Sequence, residues 1–155
     1  MINKNNLNRL DLEILGDILF LSLHSDTYKD ISVENLYNKF IEIIKVGDFQ
    51  VVRDKEDGLP IAFTCWSFVS DDVLKDMLEN DRDLKKEEMN SGNNLLFLEL
   101  FTPNKYYWDF FDHLTNYFNN EYEGKYSVDK SKIYTCCGLH IGFNNGQVEI
   151  KKVDA

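Results

Sequence analysis

Positive charge is in short supply in this chain, which has 17 Lys and Arg against 27 Asp and Glu for a formal net charge of −10. That balance argues against a nucleic-acid partner, whose phosphates need a basic surface, and against a polybasic membrane anchor. Lys85-Lys86, Lys125 to Lys132 and Lys151-Lys152 are the basic clusters, each read as solvated surface. Proline is scarcer still, with two in 155 residues, and no Pro-rich, repetitive or low-complexity stretch divides the chain. One domain over residues 1–155 is expected. The three cysteines, Cys65, Cys136 and Cys137, form an odd set without C-x-x-C spacing, which disfavours a disulfide framework or zinc site and fits free thiols in a reducing cytosol. Apolar runs never reach the length of a membrane span. The early one, Ile18 to Leu23, follows Asp11, Glu13 and Asp17, where a secretory signal would carry positive charge. A cytoplasmic protein is expected.

What the chain does have is apolar and aromatic side chains, 43% and 14% of its residues, enough for one well-covered core. The most informative stretch is Asn93 to Pro103, a strand-length apolar run with a carboxylate, Glu99, in its middle. Such a run reads as a strand covered on both faces, where an ionised group loses hydration unless something pairs with it. An edge position would instead let Glu99 reach solvent.

Around that strand the hydrophobic period changes along the chain. Leu7, Leu10, Ile14, Ile18 and Leu21 predict an amphipathic helix over residues 8–23. Ser32 predicts the cap of a second helix, with Val33, Leu36, Tyr37, Phe40, Ile43 and Ile44 as its buried stripe and Gly47 as its stop. Residues 49–53 and 60–69, separated by a link containing Asp57-Gly58, predict an antiparallel hairpin. Ser70 with Asp71 and Asp72 predicts a short helix to Asn80, followed by a charged loop or marginal turn to Asn90. After the Glu99 strand, Tyr106 to Phe118 predicts an aromatic helix whose surplus of rings suits a homodimer or partner interface. A last strand over Lys132 to Leu139 and a polar tail containing Gly142 and Gly146 complete the order.

The resulting fold class is α+β, a central, mostly antiparallel sheet flanked by helices, similar to the GNAT-like acyltransferase fold. In GNAT enzymes that use coenzyme A, a glycine-rich loop after the central strand holds the pyrophosphate with its N–H groups. The corresponding residues, Thr102-Pro103-Asn104-Lys105, contain no glycine, so coenzyme A is a poor candidate for the donor.

Several segments in order carry a further resemblance. They are Leu15-Gly16, Leu59-Pro60-Ile61-Ala62-Phe63 with Cys65-Trp66-Ser67, Ser91-Gly92, Phe97 to Pro103, and Ser127-Val128-Asp129. From Leu12 to Leu139 the chain resembles the RTX toxin-activating lysine acyltransferases, the hemolysin-activating family. The resemblance implies an acyltransferase, often dimeric, that takes a fatty acyl group from acyl carrier protein to lysines of a protoxin. It also implies a carboxylate in the Glu99 strand acting beside a histidine in the connector after the first helix. Counted from Leu15-Gly16, that histidine position falls on Tyr28, and His24 lies four residues earlier. The candidate catalytic set is therefore Glu99, His24 and Tyr28.

No cofactor is expected to be tightly bound, and the acyl donor arrives as a co-substrate. The net charge repels acidic acyl carrier protein. That points to a family branch in which a small homologue works with a second maturation protein to join a glucosylated catecholate siderophore to the C-terminal serine of a microcin. Lysine N-acylation of an RTX protoxin from acyl carrier protein, and a non-catalytic adaptor that binds the precursor peptide, are the alternatives. His113 and His140 read as structural. Trp66 and Phe68 read as core residues that could also line an acyl or catechol pocket, and Cys136-Cys137 is not expected to supply a nucleophile.

Overall fold

A computed structural model of the chain describes residues 6–80, 82–102, 107–121, 134–135, 139–144 and 147–152. Helix α1 (Arg9–Ser22) starts at Asn8, whose side chain accepts from the Asp11 N–H while the Asp11 carboxylate accepts from the Asn8 N–H. This reciprocal box satisfies two donors that the first turn leaves unpaired. Helix α2 (Val33–Val46) is capped by Ser32 and stops at Gly47. A Cβ on Gly47 would sit 2.8 Å from the Ile43 carbonyl oxygen, so the chain leaves the helix where only glycine fits.

Strands β1 (Asp48–Arg53) and β2 (Pro60–Val69) form the expected antiparallel hairpin, turning at Gly58 with a positive φ of 74°. Helix α3 (Asp71–Glu79) is capped by Ser70. A short 3₁₀ turn (Lys86–Glu88) precedes β3 (Asn94–Phe101), and α4 (Tyr107–Glu121) follows it. The remaining strands are β4 (Tyr134–Thr135), β5 (Leu139–Asn144) and β6 (Gln147–Lys152). The sheet order is β1-β2-β3-β4, antiparallel except that β4 runs parallel to β3, and β5 and β6 form a separate antiparallel hairpin. The expected α+β architecture, with a mostly antiparallel sheet between helices, is the one observed.

Each face of the sheet carries its own core. On one face Ala62, Trp66, Leu95 and Phe97 pack with Phe110, Phe111, Leu114 and Phe118 of α4. On the other, Phe63, Cys65 and Phe101 pack with Ile14, Ile18 and Leu21 of α1 and Leu36, Phe40, Ile43 and Ile44 of α2. Fully burying Ile18, Phe40 and Phe63 contributes about 1.5–3 kcal/mol each. The ion pair between Asp17 of α1 and the half-exposed Arg53 of β1 is worth roughly 0–1 kcal/mol. Apolar packing therefore holds α1 and α2 on the sheet, and the pair sets where α1 meets the hairpin.

Register decides which face Glu99 occupies. Cys65 pairs with Glu99 but Trp66 pairs with Phe97, so Leu98 is an extra residue, a β-bulge on β3. Before the bulge, Leu95 and Phe97 face α4. After it, Phe101 faces α1 and α2. A bulge disrupts the ladder locally, and the Thr64 hydroxyl donates to the Glu99 carbonyl at 2.8 Å beside it.

Some expectations need correction. Leu10 is 62% exposed and Val33 72% exposed, because each lies in the first turn of its helix and projects beyond the core it was assigned to. Of the two forms expected for the charged segment after α3, the marginal turn is the one observed, at Lys86–Glu88, and Arg82 ties it down by binding Asp76 and both carboxylate oxygens of Glu88. The expected strand over Lys132 to Leu139 is described as β4 alone at Tyr134–Thr135 with β5 starting at Leu139, and residues 132, 133 and 136–138, Cys136 and Cys137 included, lie outside the described residues. The polar tail is instead the β5–β6 hairpin. Among the described side chains of α4, Phe110, Phe111 and Phe118 are buried in the core and Trp108 is 70% exposed. Tyr106 and the loop from Pro103 to Lys105 lie outside the described residues. Among the described residues no helix is long and apolar enough to cross a membrane.

Ser91-Gly92, noticed only as a motif, is a clamp. Ser91 Oγ accepts from the Ser70 N–H at 3.1 Å, and a Cβ on Gly92 would lie 2.5 Å from Ser70 Cα and 2.6 Å from the Val69 carbonyl oxygen. Those neighbours are backbone at the β2–α3 junction and cannot step aside. Gly92→Ala is expected to destabilise the fold by about 1–3 kcal/mol in urea unfolding. Gly16→Ala, on a helix face with nothing within 4 Å, should be neutral or stabilising. Equal midpoints for the two variants would refute the clamp.

Candidate active site

Glu99 is brought onto the α1/α2 face by the Leu98 bulge, and its side chain is 18% exposed. The connector after α1 supplies its first partner. Lys29 N–H donates to the Ser25 carbonyl at 2.8 Å and Ile31 N–H to the Tyr28 carbonyl at 3.0 Å, winding the connector into turns. These turns hold the Tyr28 ring edge-on to Phe101, with centroids 4.9 Å apart, and to Phe40 at 6.4 Å. From there Tyr28 Oη donates to Glu99 Oε1 at 2.6 Å.

The second partner is Lys39 of α2, whose Nζ lies 3.2 Å from the same Glu99 oxygen and 2.5 Å from Asp83 Oδ1. Lys39 is 20% exposed and also lies over the Tyr28 ring, 5.8 Å from its centroid. Burial pulls its ammonium towards neutrality, but the hydrogen bond to Asp83 and the charges of Glu99 and Asp83 outweigh this and hold its pKa above the ordinary lysine value. Glu99 Oε1 is thus doubly engaged, and Oε2 has no partner among the described residues.

These groups open into a cleft of about 830 Å³. Tyr28, Lys39, Asp83 and Glu99 line it with Arg82, and Ile43, Met77, Leu84 and Leu98 give it apolar walls. One wall is the segment after α3, stapled by Arg82. That guanidinium bonds Asp76 Oδ2 at 2.7 Å, Glu88 Oε2 at 2.9 Å, Glu88 Oε1 at 3.0 Å and the Asp83 carbonyl at 3.0 Å. Its hydrogen bond, with that of Asn80, holds the Asp76 carboxyl below the usual carboxylate range. The Arg82 hydrogen bond lowers Glu88 likewise, against a smaller opposing effect of desolvation.

Of the three candidate residues, the structure therefore joins Glu99 to Tyr28. His24 stands apart: it is exposed, edge-on to Phe20 at 5.3 Å, and is not among the cleft-lining residues. Trp66 belongs to the α4 core and Phe68 packs against it, so neither lines the cleft. His113 Nε2 lies 3.2 Å from Gln50 Oε1 and ties α4 to β1. Lys39 is the residue that sequence reading missed. Its only signal was a cation one position before Phe40, off the apolar stripe of α2.

The chain matches the model of the RTX toxin acyltransferase family over residues 7–134, which takes in Tyr28, Lys39 and Glu99. It is 36% identical over 97 residues to an uncharacterized protein of Synechocystis sp., covering 63% of this chain and 66% of that protein. It is 26% identical over 91 residues to the lysine-acyltransferase RtxC of Vibrio cholerae, covering 59% of each. It is also 26% identical over 117 residues to the leukotoxin-activating lysine-acyltransferase LtxC of Aggregatibacter actinomycetemcomitans, covering 76% of this chain and 66% of that protein. The matches span between 59% and 66% of the length of these relatives.

The Arg82 staple has a pH consequence. Carboxyls with depressed folded pKa values contribute stability that is complete above their ordinary values and is lost as pH falls through the folded ones. The Lys85 and Glu88 amides should therefore lose protection against hydrogen exchange between about pH 5 and about pH 3, ahead of the α1 amides. Arg82→Gln should remove that difference. Parallel loss in both regions of the wild type would refute it.

Proposed function

The chain belongs to the RTX toxin acyltransferase family, and from that premise we propose that it transfers an acyl group to a nucleophile on a peptide or protein toxin precursor. The observation that carries the reading is a largely buried carboxylate with one oxygen fixed by Tyr28 and Lys39 and the other without a partner among the described residues, in a residue that lines a cleft with apolar walls. Such a carboxylate can accept a proton from an incoming hydroxyl or amine within hydrogen-bond reach. In the proposed step the acceptor attacks the acyl carbon as its proton passes to Glu99. The bond from the acyl carbon to the leaving group then breaks, and the leaving group receives the proton, restoring the carboxylate. Tyr28, at the position where the family resemblance places histidine, orients Glu99 through its phenol.

The donor is a co-substrate, and the absence of glycine in Thr102-Pro103-Asn104-Lys105 disfavours coenzyme A. Charge favours a finer reading of the acceptor. A lysine ammonium about 4 Å from Glu99 would gain about 4 kcal/mol at an effective dielectric of about 20, and Lys39 at a similar distance takes away a like amount. A hydroxyl acceptor loses nothing by this. Together with the net charge of −10, which opposes docking of acidic acyl carrier protein, this supports ester-type attachment. The matching case is a glucosylated catecholate siderophore joined to a microcin C-terminal serine, with a second maturation protein as helper. Lysine N-acylation of an RTX protoxin is the competing outcome.

Intact mass of a co-expressed precursor, with and without neighbouring genes, tests both levels. Wild-type protein should add mass, and the increment distinguishes a fatty acyl group from a siderophore conjugate. Glu99→Gln should lower the rate on the order of 100-fold or more, with a smaller loss for Tyr28→Phe. Full modification by both variants in folded form would replace the catalytic reading with an adaptor role.

A further inference from the structure

We propose that Lys39 is a catalytic residue whose ammonium binds the oxyanion formed when the acyl carbonyl is attacked, an inference that rests on the acyl-transfer reading above. A tetrahedral intermediate at the acyl carbon carries a full negative charge on oxygen, and a preorganised donor aimed at that oxygen lowers the barrier most when it is already fixed in place. Among the described residues lining the cleft, the cations are Lys39 and Arg82. Arg82 is committed to its staple of carboxylates. Its Nε donates to Asp76, its Nη1 to Glu88 and the Asp83 carbonyl, and its Nη2 to Glu88, four of its five N–H groups, and Asp76 Oδ2 also lies 2.7 Å from Nη2.

Lys39 differs in this respect. An ammonium has three N–H donors, and two of them go to Asp83 Oδ1 at 2.5 Å and Glu99 Oε1 at 3.2 Å. The third is left for the cleft that Lys39 lines. One of these contacts reaches β3 and the other the segment that Arg82 staples to α3. Both are charge-assisted, so the nitrogen is held before any substrate arrives. The same arrangement places the cation beside the carboxylate that takes the acceptor proton, so the attacking atom and the carbonyl oxygen are served from adjacent positions.

The balance of the step is simple. As the acceptor bonds to the acyl carbon, the carbonyl π pair moves onto oxygen and the third Lys39 N–H donates to it. As the leaving-group bond breaks, the pair returns to re-form the carbonyl. Lys39 keeps its proton throughout, and the acceptor proton travels by Glu99 as described above.

Two probes test the assignment. With p-nitrophenyl octanoate as an activated acyl donor, Lys39→Met should lower kcat on the order of 100-fold with KM little changed, and Lys39→Arg should recover part of the loss. Octylphosphonate, a tetrahedral anion, should bind Lys39→Met at least about tenfold more weakly by calorimetry, while neutral octanamide binds both proteins alike. A positioning role through Glu99 alone would leave octylphosphonate affinity unchanged. If Lys39→Met lacks the wild-type unfolding midpoint, Lys39→Gln serves in its place. A wild type that neither cleaves the ester nor modifies a precursor overturns the acyl-transfer reading. An active wild type matched in kcat and octylphosphonate affinity by folded Lys39→Met overturns the Lys39 assignment alone.

Discussion

A single extra residue in β3 determines what the rest of the site can be. In an uninterrupted strand, Glu99 would share a face with Phe97, which packs against Trp66 and Phe118 under α4. A carboxylate there would be surrounded by rings, with no cation or donor described beside it. The bulge at Leu98 turns residues 99 and 101 to the opposite face. Phe101 then meets Phe40 and Tyr28, and the same turn that brings Phe101 to the tyrosine brings Glu99 to its hydroxyl. The Thr64 hydroxyl, bonded to the Glu99 carbonyl, occupies the place where the regular ladder is interrupted. Strand register, aromatic packing and the position of the carboxylate are one constraint expressed three ways.

Once there, the carboxylate cannot stand alone. Taking an ion out of water costs several kcal/mol unless a partner restores the interaction. Lys39 and Tyr28 both address Oε1, which stabilises the charged form while leaving Oε2 open. A pair built only for stability would be expected to use both oxygens, since a buried salt bridge rarely improves on apolar packing. The continuation outward, from Lys39 to Asp83 and through Arg82 to Asp76 and Glu88, is also costly in side-chain order for a structure that needs only to stay folded. The network is better explained by the need to hold a charged group at a fixed point inside a cleft.

What was legible in the sequence follows the range of the interactions concerned. Ser32, Ser70 and the Asp57-Gly58 turn act within a few residues, so caps and the first hairpin could be read locally. Glu99 was visible because it interrupts an apolar run, and Tyr28 because motif spacing pointed to it. The β5–β6 hairpin was also visible, in the alternation of Leu139 to Asn144 and Gln147 to Lys152 around Asn145-Gly146, but the glycines were read as a tail. The bulge could not be read: Leu95, Leu96, Phe97, Leu98 and Leu100 are all apolar, so no polar position marks where the alternation slips. Lys39 was hidden for a different reason. On α2 it looks like one more cation beside the apolar stripe, and only the sheet brings Glu99 beneath it.

The position of Tyr28 also has a consequence for how chemistry is divided. An imidazole can accept a proton and then carry positive charge in the same place. A phenol, with an ordinary pKa near 10, can donate to or orient a carboxylate but cannot become a cation by protonation near neutral pH. If a tyrosine stands in a site that must both move a proton and stabilise a negative oxygen, these tasks need separate groups. In the proposed reaction these are Glu99, with one oxygen open to the proton, and Lys39, held protonated by Asp83 and Glu99. His24, just past the end of α1, sits exposed against Phe20 and is not among the residues lining the cleft. In the proposed acyl transfer, Tyr28 and Lys39 therefore act as a pair around Glu99.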